Sequence, residues 1–391
     1  MKIEKVGFHY LADDTIRDIG DCSQDALLTH VVMDDGSDGW GECEAAPLVS
    51  IAAWCCPMSH LACKPLKASV IGIAIDGPAD IYALTEKVRR NSFDLLQADH
   101  TLSGIDIALW DMLGKKRGEP VWKLLGGKRA FPKIAYASQL FGDTPQETFD
   151  KAVRSRKDGF RAAKFGWGPF GLGTPEQDIE HIRAAREGLG PDLALMIDAG
   201  TVWKSDVARA AKLLPALKEA RAVWLEEPFT SGALKSYAEF AALPGGAGLA
   251  AAGEGSHDPD MAYNLIDFGK VGFIQIDTGR IGGISSARKV AEYAAKTGVV
   301  YVNHTFTTSL ALSASIQPFA DMQDSPWCEF PVESAPPARL LTKKRILPDA
   351  NGEVRLPDAP GLGVEIDPAT LARYGREVTI TYENQTLWSM K

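Results

Sequence analysis

The sequence lacks long apolar runs and an excess of basic residues. No run approaches the roughly 18 apolar residues that a membrane-spanning helix needs, so we expect no membrane attachment. The start, MKIEKVGFHYLADD, has no apolar core of a signal peptide, and we therefore expect a cytoplasmic protein. The net charge of −9 provides no basic surface, which argues against a nucleic-acid partner.

Closely paired cysteines are also missing. The 391 residues include six cysteines and no CxxC pair, a usage typical of a reducing compartment. Four of them form a loose cluster that could bind a metal: Cys43, Cys55, Cys56 and Cys63. Without metal-site spacing, packing as small apolar side chains is the preferred interpretation.

Three acidic residues recur at one fixed interval. Asp198 ends LALMID, Glu226 lies in AVWLE and Glu254 ends GLAAAGE, and 226 − 198 and 254 − 226 both equal 28. About 28 residues is the length of one strand, one helix and two loops. The interval predicts three successive β/α units, each with a carboxylate at the end of its strand.

The same alternation extends over much of the chain and predicts a (β/α)8-type barrel, an α/β fold. Its eight candidate strands are KIAYAS, RAAKFG, LALMID, AVWLEE, GLAAAGE, VGFIQID, VVYVNH and WCEF. We predict an N-terminal α+β capping domain over residues 1–128 and the barrel over 129–330. Residues 331–391 are expected to pack back on the capping domain.

Carboxylates at the ends of neighbouring barrel strands converge on one face, where barrel active sites form. Asp198, Glu226 and Glu254 could each simply cap a following helix. Together they would repel one another, and a divalent cation would relieve that repulsion. All-oxygen ligation with open positions suits Mg²⁺, so these three residues are the predicted metal ligands.

Other polar residues end predicted strands of the same barrel. Lys164 ends RAAK, Asp277 ends GFIQID and His304 ends VVYVNH. A histidine paired with an aspartate suits a general base, because its pKa lies near neutrality and the aspartate fixes its tautomer. The alternatives are a core histidine and a surface ion pair for Lys164. We favour catalytic roles, with Lys164 and the Asp277–His304 dyad on opposite sides of the metal.

With GWGE, SGIDIALWDMLGK and PGLGVEID, these motifs resemble those of the enolase superfamily, mandelate racemase subgroup. The resemblance implies that Asp198, Glu226 and Glu254 bind Mg²⁺ and that His304 and Asp277 form the catalytic dyad. It also implies that Glu329, in WCEF, binds the substrate carboxylate, most usefully when protonated. Homo-oligomers are common in this family, so one is expected here.

Two positions depart from the family pattern. Where the family often has Lys-x-Lys, this chain has Lys164, Phe165 and Gly166, so the second lysine is missing. Gly200 stands where the racemase has asparagine. We expect Lys164 to stabilise an enediolate or to act as an auxiliary acid or base.

Other side chains near the predicted strand ends, and two segments of the first domain, have expected supporting roles. Glu227 is expected to point away from Glu226 and support a neighbour. Trp167 and Phe170 could shape specificity. Segments 11–24 and 47–60, which include Trp54 and His60, could act as lids.

A reaction that needs one main base fits this pattern best. We expect a Mg²⁺-dependent lyase that dehydrates a small-molecule carboxylate, a sugar acid, to a 2-keto-3-deoxy acid through a metal-stabilised enediolate. One alternative is a racemase, epimerase or cycloisomerase acting on a related carboxylate. An alternative of another class is a non-catalytic barrel that binds Mg²⁺ and an acid.

Overall fold

The computed structural model describes residues 1–20, 23–44 and 46–390. It begins with an antiparallel sheet of three strands: β1 (Ile3–Ala12), β2 (Asp25–Met33) and β3 (Asp38–Cys43). Five helices follow: α1 (Pro47–Cys55), α2 (Lys67–Val70), α3 (Pro78–Asn91), α4 (Ala98–Arg117) and α5 (Val121–Leu124). The sheet and these helices share one apolar core.

The GWGE motif explains how closely α4 approaches the sheet. A Cβ atom at Gly41 would lie 2.1 Å from the carbonyl oxygen of Gly104 in α4, and one at Gly39 would lie 2.0 Å from that of Ala108. Because only glycine leaves room for such an approach, the helix packs directly on β3.

Eight parallel strands form the main sheet, at the positions predicted from the sequence. They are β4 (Lys133–Leu140), β5 (Ala162–Gly166), β6 (Ala194–Asp198), β7 (Ala222–Glu226), β8 (Ala250–Ala252), β9 (Phe273–Asp277), β10 (Val300–His304) and β11 (Trp327–Pro331). Their order is β10-β9-β8-β7-β6-β5-β4-β11. At the seam between β10 and β11, the backbone N–H of Glu329 donates to Asn303 Oδ1 over 3.1 Å.

Helices lie in the connections between these strands and after the last one. They are α6 (Pro145–Lys157), α7 (Pro175–Leu189), α8 (Val207–Ala211), α9 (Leu214–Glu219), α10 (Leu234–Ala241), α11 (Pro259–Asp267), α12 (Gly283–Thr297), α13 (Ser309–Ile316) and α14 (Pro336–Leu340). A short 3-10 helix, Gln317–Phe319, follows α13. The predicted (β/α)8-type barrel with an N-terminal α+β capping domain is confirmed.

The last part of the chain contacts both the barrel and the capping domain. β12 (Glu353–Val354) pairs antiparallel with β4, and α15 (Pro368–Tyr374) follows. The hairpin of β13 (Val378–Tyr382) and β14 (Gln385–Met390) places Trp388 against Phe8, with ring centroids 6.2 Å apart. Among the described residues, no helix is both long and apolar enough to cross a membrane.

Strand periodicity determines which side chains enter the barrel mouth. A buried apolar layer inside the barrel includes Ala162, Met196, Trp224 and Val302. Side chains two positions apart on a strand point to the same face. Each of these residues is therefore followed, two positions later, by a polar side chain on the same inward face: Lys164, Asp198, Glu226 and His304.

Candidate active site

The three predicted metal ligands end neighbouring strands at one mouth of the barrel. Asp198 ends β6 and Glu226 ends β7, where the two residues are paired in register. Glu254 follows β8 by two residues. Asp198 is 5 % exposed and Glu226 is fully buried, so their charges are largely removed from water.

Lys164 is buried among carboxylates rather than paired at the surface. Its Nζ atom lies 2.5 Å from Glu226 Oε1, 2.8 Å from Glu329 Oε1 and 3.4 Å from Asp198 Oδ2. Burial alone would lower the pKa of Lys164, but the surrounding carboxylates outweigh it and raise this pKa well above 10.5. The ammonium is thus held as a fixed positive charge.

His304 and Asp277 form the predicted pair on β10 and β9. With its proton on Nδ1, His304 donates to Asp277 Oδ2 over 2.6 Å, and Gly279 N–H donates to Asp277 Oδ1 over 2.7 Å. His304 Nε2 lies 3.1 Å from Glu254 Oε2. Burial alone would lower the pKa of His304, but Glu254, Glu329 and Asp277 outweigh it and raise this pKa well above 6.5.

Glu329 lies between the lysine and the dyad. Ser138 Oγ donates to its Oε1 over 2.8 Å, and the backbone N–H of Thr305 donates to its Oε2 over 2.8 Å. With Lys164 Nζ also at Oε1, donors approach both oxygens. These contacts fix the orientation of the Glu329 carboxyl group, and its contact with a substrate carboxylate stays a prediction.

Glu226 ends its strand as predicted, whereas Glu227 occupies a different position from that expected. Glu226 accepts a hydrogen bond from Trp224 Nε1 over 2.9 Å, in addition to its contact with Lys164, and is not among the described residues that line the cavity. Glu227 was expected to point away, but its φ of +38° breaks the strand alternation and its side chain lines the cavity. Its Oε1 is buried without a partner among the described residues. Burial, Glu254 and Asp198 raise the pKa of Glu227 well above 4.5.

Arg280 is a site residue that the sequence reasoning missed. Its Nη1 lies 3.3 Å from Glu254 Oε1, and its Nη2 lies 3.3 Å from Glu44 Oε1 in the capping domain. Its Nε is 3.9 Å from Asp277 Oδ2. Arg280 therefore joins the two domains beside the dyad. Its position three residues after a predicted catalytic aspartate was the available signal.

These side chains surround a cavity of about 410 Å³ at the barrel mouth, a size within the roughly 300–1,000 Å³ usual for ligand sites. Trp167, 46 % exposed, lines it, as do Ile19 and Gly20 from the first predicted lid segment. Asp21 and Cys22 of that segment lie outside the described residues.

Three other expectations about the cavity wall are wrong. Phe170 is buried and stacks on Phe141 at 4.6 Å instead of facing a ligand. Trp54 packs against Phe8 in the capping core, and His60 pairs with Asp94 over 3.2 Å. Among the described residues that line the cavity, none comes from segment 47–60.

Close neighbours leave no room for a side chain at the two glycines that depart from the family pattern, Gly166 and Gly200. A Cβ atom at Gly166 would lie 2.8 Å from both Cβ and Oδ2 of Asp198. A Cβ atom at Gly200, which has a φ of +54°, would lie 2.9 Å from the indole of Trp167. No side chain, and hence no second lysine, fits at position 166 in this arrangement.

The charge of the site suits a divalent cation. Carboxylates outnumber the two permanent cations, Lys164 and Arg280, at this site: Asp198, Glu226, Glu227, Glu254, Asp277 and Glu329. Within the described part of the chain, no three His, Cys, Asp or Glu side chains already form a closed ligand set. The donors are nevertheless the oxygen ligands that Mg²⁺ prefers, and a bound cation would give a partner to the Glu227 oxygen that has none among the described residues.

Known families match both parts of this architecture. The N-terminal domain model of mandelate racemase and muconate lactonizing enzyme matches residues 19–126, and the enolase C-terminal domain-like model matches residues 147–370. The chain belongs to the enolase superfamily, in its mandelate racemase subgroup. The resemblance inferred from the motifs is thereby confirmed.

Relatives within the superfamily indicate the kind of chemistry. D-galactarolactone cycloisomerase of Agrobacterium fabrum is 31% identical over 89% of this chain and 90% of its own length. L-rhamnonate dehydratase of Saccharopolyspora erythraea is 30% identical over 69% and 67%, respectively. A crystal structure of a predicted mandelate racemase from Rhodobacter sphaeroides is 50% identical, with a TM-score of 0.95 over 99% of both chains. The first two are a cycloisomerase and a dehydratase, which supports an enzyme here.

Proposed function

We propose that this protein is a Mg²⁺-dependent enzyme that removes the α-proton of a sugar acid and eliminates the oxygen substituent of the β-carbon. The observation that carries the proposal is the convergence of the His304–Asp277 dyad, Lys164 and Glu329 with the acidic cluster at one cavity. The sequence and its relatives leave two forms of this elimination, dehydration and ring opening.

Magnesium, when bound, would neutralise the substrate carboxylate and stabilise the enediolate formed from it. Asp198, Glu226 and Glu254 would hold the ion, with Glu227 beside them. Lys164 would place its fixed charge at the same carboxylate, and Glu329 would help orient it.

His304 would act as the base. In the neutral form of His304, Asp277 holds the protonated Nδ1, and the unprotonated Nε2 can accept the α-proton. The electron pair of the broken C–H bond forms the enediolate, and its collapse breaks the bond between the β-carbon and its oxygen. His304 then returns the proton to the departing oxygen. In dehydration the products are water and an enol, which becomes a 2-keto-3-deoxy acid.

Because position 166 is a glycine, the chain lacks the second lysine that would serve as the opposing base in two-base racemisation. Lys164 is the remaining residue of that motif, and its three carboxylate neighbours favour a charge-stabilising role over proton abstraction. Chemistry on a single face of the substrate is therefore favoured over racemisation.

Cycloisomerisation is the second candidate, supported by the relative that covers 89% of this chain. In that form the departing oxygen belongs to a ring, so the product keeps the mass of the substrate. Incubation with sugar acids and sugar lactones, followed by mass spectrometry, distinguishes the forms. Loss of one water indicates dehydration, whereas a keto acid of unchanged mass indicates ring opening. Solvent-deuterium exchange without elimination would contradict both.

A further inference from the structure

A second cavity, of about 380 Å³, lies at the end of the barrel opposite the proposed active site. Phe131 and Pro132 line it and immediately precede β4, whereas barrel active sites lie beyond the C-terminal ends of the strands. Arg355 lines it one residue beyond the pairing of Val354 with Lys133 at the start of β4. Helix α5 of the capping domain completes the wall. The second cavity is therefore a concave junction of three parts of the chain, of a size usual for small ligands.

Cationic side chains dominate the wall of the second cavity, although the chain as a whole carries a net charge of −9. Four of them line it: Lys123, Lys128, Arg129 and Arg355. Asp358 is the one carboxylate among the described residues of this wall. Because like charges gathered around one space repel each other, an anion placed between them would relieve that repulsion.

Three of these cations have no carboxylate partner within the described part of the chain. Arg355 forms ion pairs with two carboxylates of its own segment, over 2.7 Å and 3.2 Å. The charged groups of Lys123, Lys128 and Arg129, by contrast, form no ion pair and donate no hydrogen bond to another described residue. Their N–H donors therefore remain available to a ligand in the second cavity.

Two aromatic rings hold cations at this wall. Lys123 Nζ lies 5.3 Å from the centroid of the Trp122 ring, and Arg129 Cζ lies 5.0 Å from that of Phe131. A cation over an aromatic face is attracted to it, so these long side chains are restrained before any ligand arrives. Restraint of this kind reduces the conformational entropy that binding would otherwise cost.

From this wall we infer that the second cavity binds a small multivalent oxyanion, such as a phosphate ester or a polycarboxylate. The two lysines supply ammonium donors, and the planar guanidinium of Arg129 matches two oxygens of a phosphate or carboxylate group. A long polyanion fits less well, because the cavity has the size of a small ligand and the remaining surface of this acidic chain repels it. The site is additional to the proposed function and does not depend on it.

The test titrates inorganic pyrophosphate or citrate into the metal-free protein at low ionic strength and measures binding by calorimetry. Without metal, the carboxylates of the proposed active site repel anions, so the signal reports on the second cavity. We expect at least one probe to bind saturably, one anion per chain, with an affinity that falls as salt is added. Tighter binding of pyrophosphate would indicate a phosphate ester as the ligand, and tighter binding of citrate a polycarboxylate.

Charge variants separate loss of the site from loss of the fold. Lys128→Ala combined with Arg129→Ala should weaken binding at least about tenfold, because hydrogen bonds to charged groups are lost. The melting temperature should change little, since neither side chain has an ion-pair partner among the described residues. Asp358→Asn removes the opposing carboxylate and should tighten binding about twofold to fivefold, a gain that loss of fold cannot produce. Lys235→Ala, which removes an 89 % exposed cation on α10, is the control and should leave binding unchanged.

Three results would overturn the inference. Absence of saturable binding for both probes would show that the cations are only a solvated surface. Equal losses in the double variant and in Lys235→Ala would show unspecific attraction to positive charge. A DNA duplex that competes as effectively as the small anions would show a polyanion surface instead of a small-molecule site. Because no readout is a turnover rate, failure of the proposed function would leave each of these outcomes unchanged.

Discussion

A buried glutamate that joins the capping domain to the barrel makes stability depend on pH. Glu42, in the GWGE motif, is 2 % exposed and accepts a hydrogen bond from Thr308, which caps α13 four residues after His304. Its other oxygen has no partner among the described residues. Burial raises the pKa of Glu42 from 4.5 to about 7.

The sign and size of the effect follow from that shift. Between pH 4.5 and pH 7 the folded protein holds a proton on Glu42 that the unfolded chain releases, so rising pH destabilises the folded state. A shift of this size corresponds to about 3 kcal/mol, since one pKa unit is about 1.4 kcal/mol. Below that window the penalty is absent, and above it the penalty is complete.

We therefore predict that Glu42→Gln removes this loss. The amide can still accept from Thr308 and does not ionise. The stability of the variant relative to wild type should rise by about 3 kcal/mol from pH 4.5 to pH 8, or about 4 °C in melting temperature for a chain of this length. Urea unfolding and thermal melts measure both quantities. The exposed Glu4→Gln, also on the N-terminal sheet, is the control. Identical pH profiles for wild type and Glu42→Gln would refute the reasoning.

The remaining predictions concern the site. His304→Asn should lower turnover at least about a hundredfold, because the general base is lost. The Mg²⁺-induced rise in melting temperature should persist in this variant. Near-normal turnover would count against the catalytic role of the dyad. Chelation of the metal should abolish turnover. Asp198→Asn should weaken Mg²⁺ binding at least about tenfold in calorimetry. Wild-type Mg²⁺ affinity in that variant would show that Asp198 is not a ligand. Gly166→Ala should cost about 1–3 kcal/mol in urea unfolding, because its Cβ would lie 2.8 Å from Asp198. Gly166→Lys should not create racemase activity. Optical rotation measures this, and a change that shows racemisation would contradict the prediction.

The sequence predicted those features that depend on strand periodicity. Each barrel strand alternates inward and outward, so Asp198 and His304 follow inward-facing Met196 and Val302 by two positions. The 27-residue separation of Asp277 and His304 similarly placed them on adjacent strands, now seen paired in register.

Features beyond the strand ends were not predictable by the same reasoning. The positive φ values of Glu227 and Trp167 reverse the direction that alternation gives. Arg280 meets Glu44 across 236 residues of sequence, a contact without periodic signal. Trp54, in a predicted lid segment, instead packs in the core of the capping domain. Burial of a large apolar side chain there stabilises the fold more than exposure at a polar cavity would.

The central claim is that His304 removes an α-proton from a sugar acid as the first step of an elimination. The most direct measurement incubates wild type and His304→Asn with Mg²⁺ and a panel of sugar acids and their lactones. Products are followed by mass spectrometry and by semicarbazide detection of 2-keto acids. We predict that wild type converts at least one compound to a keto acid and that the variant leaves it intact. Equal conversion by both proteins, or no keto acid across the panel, would contradict the account.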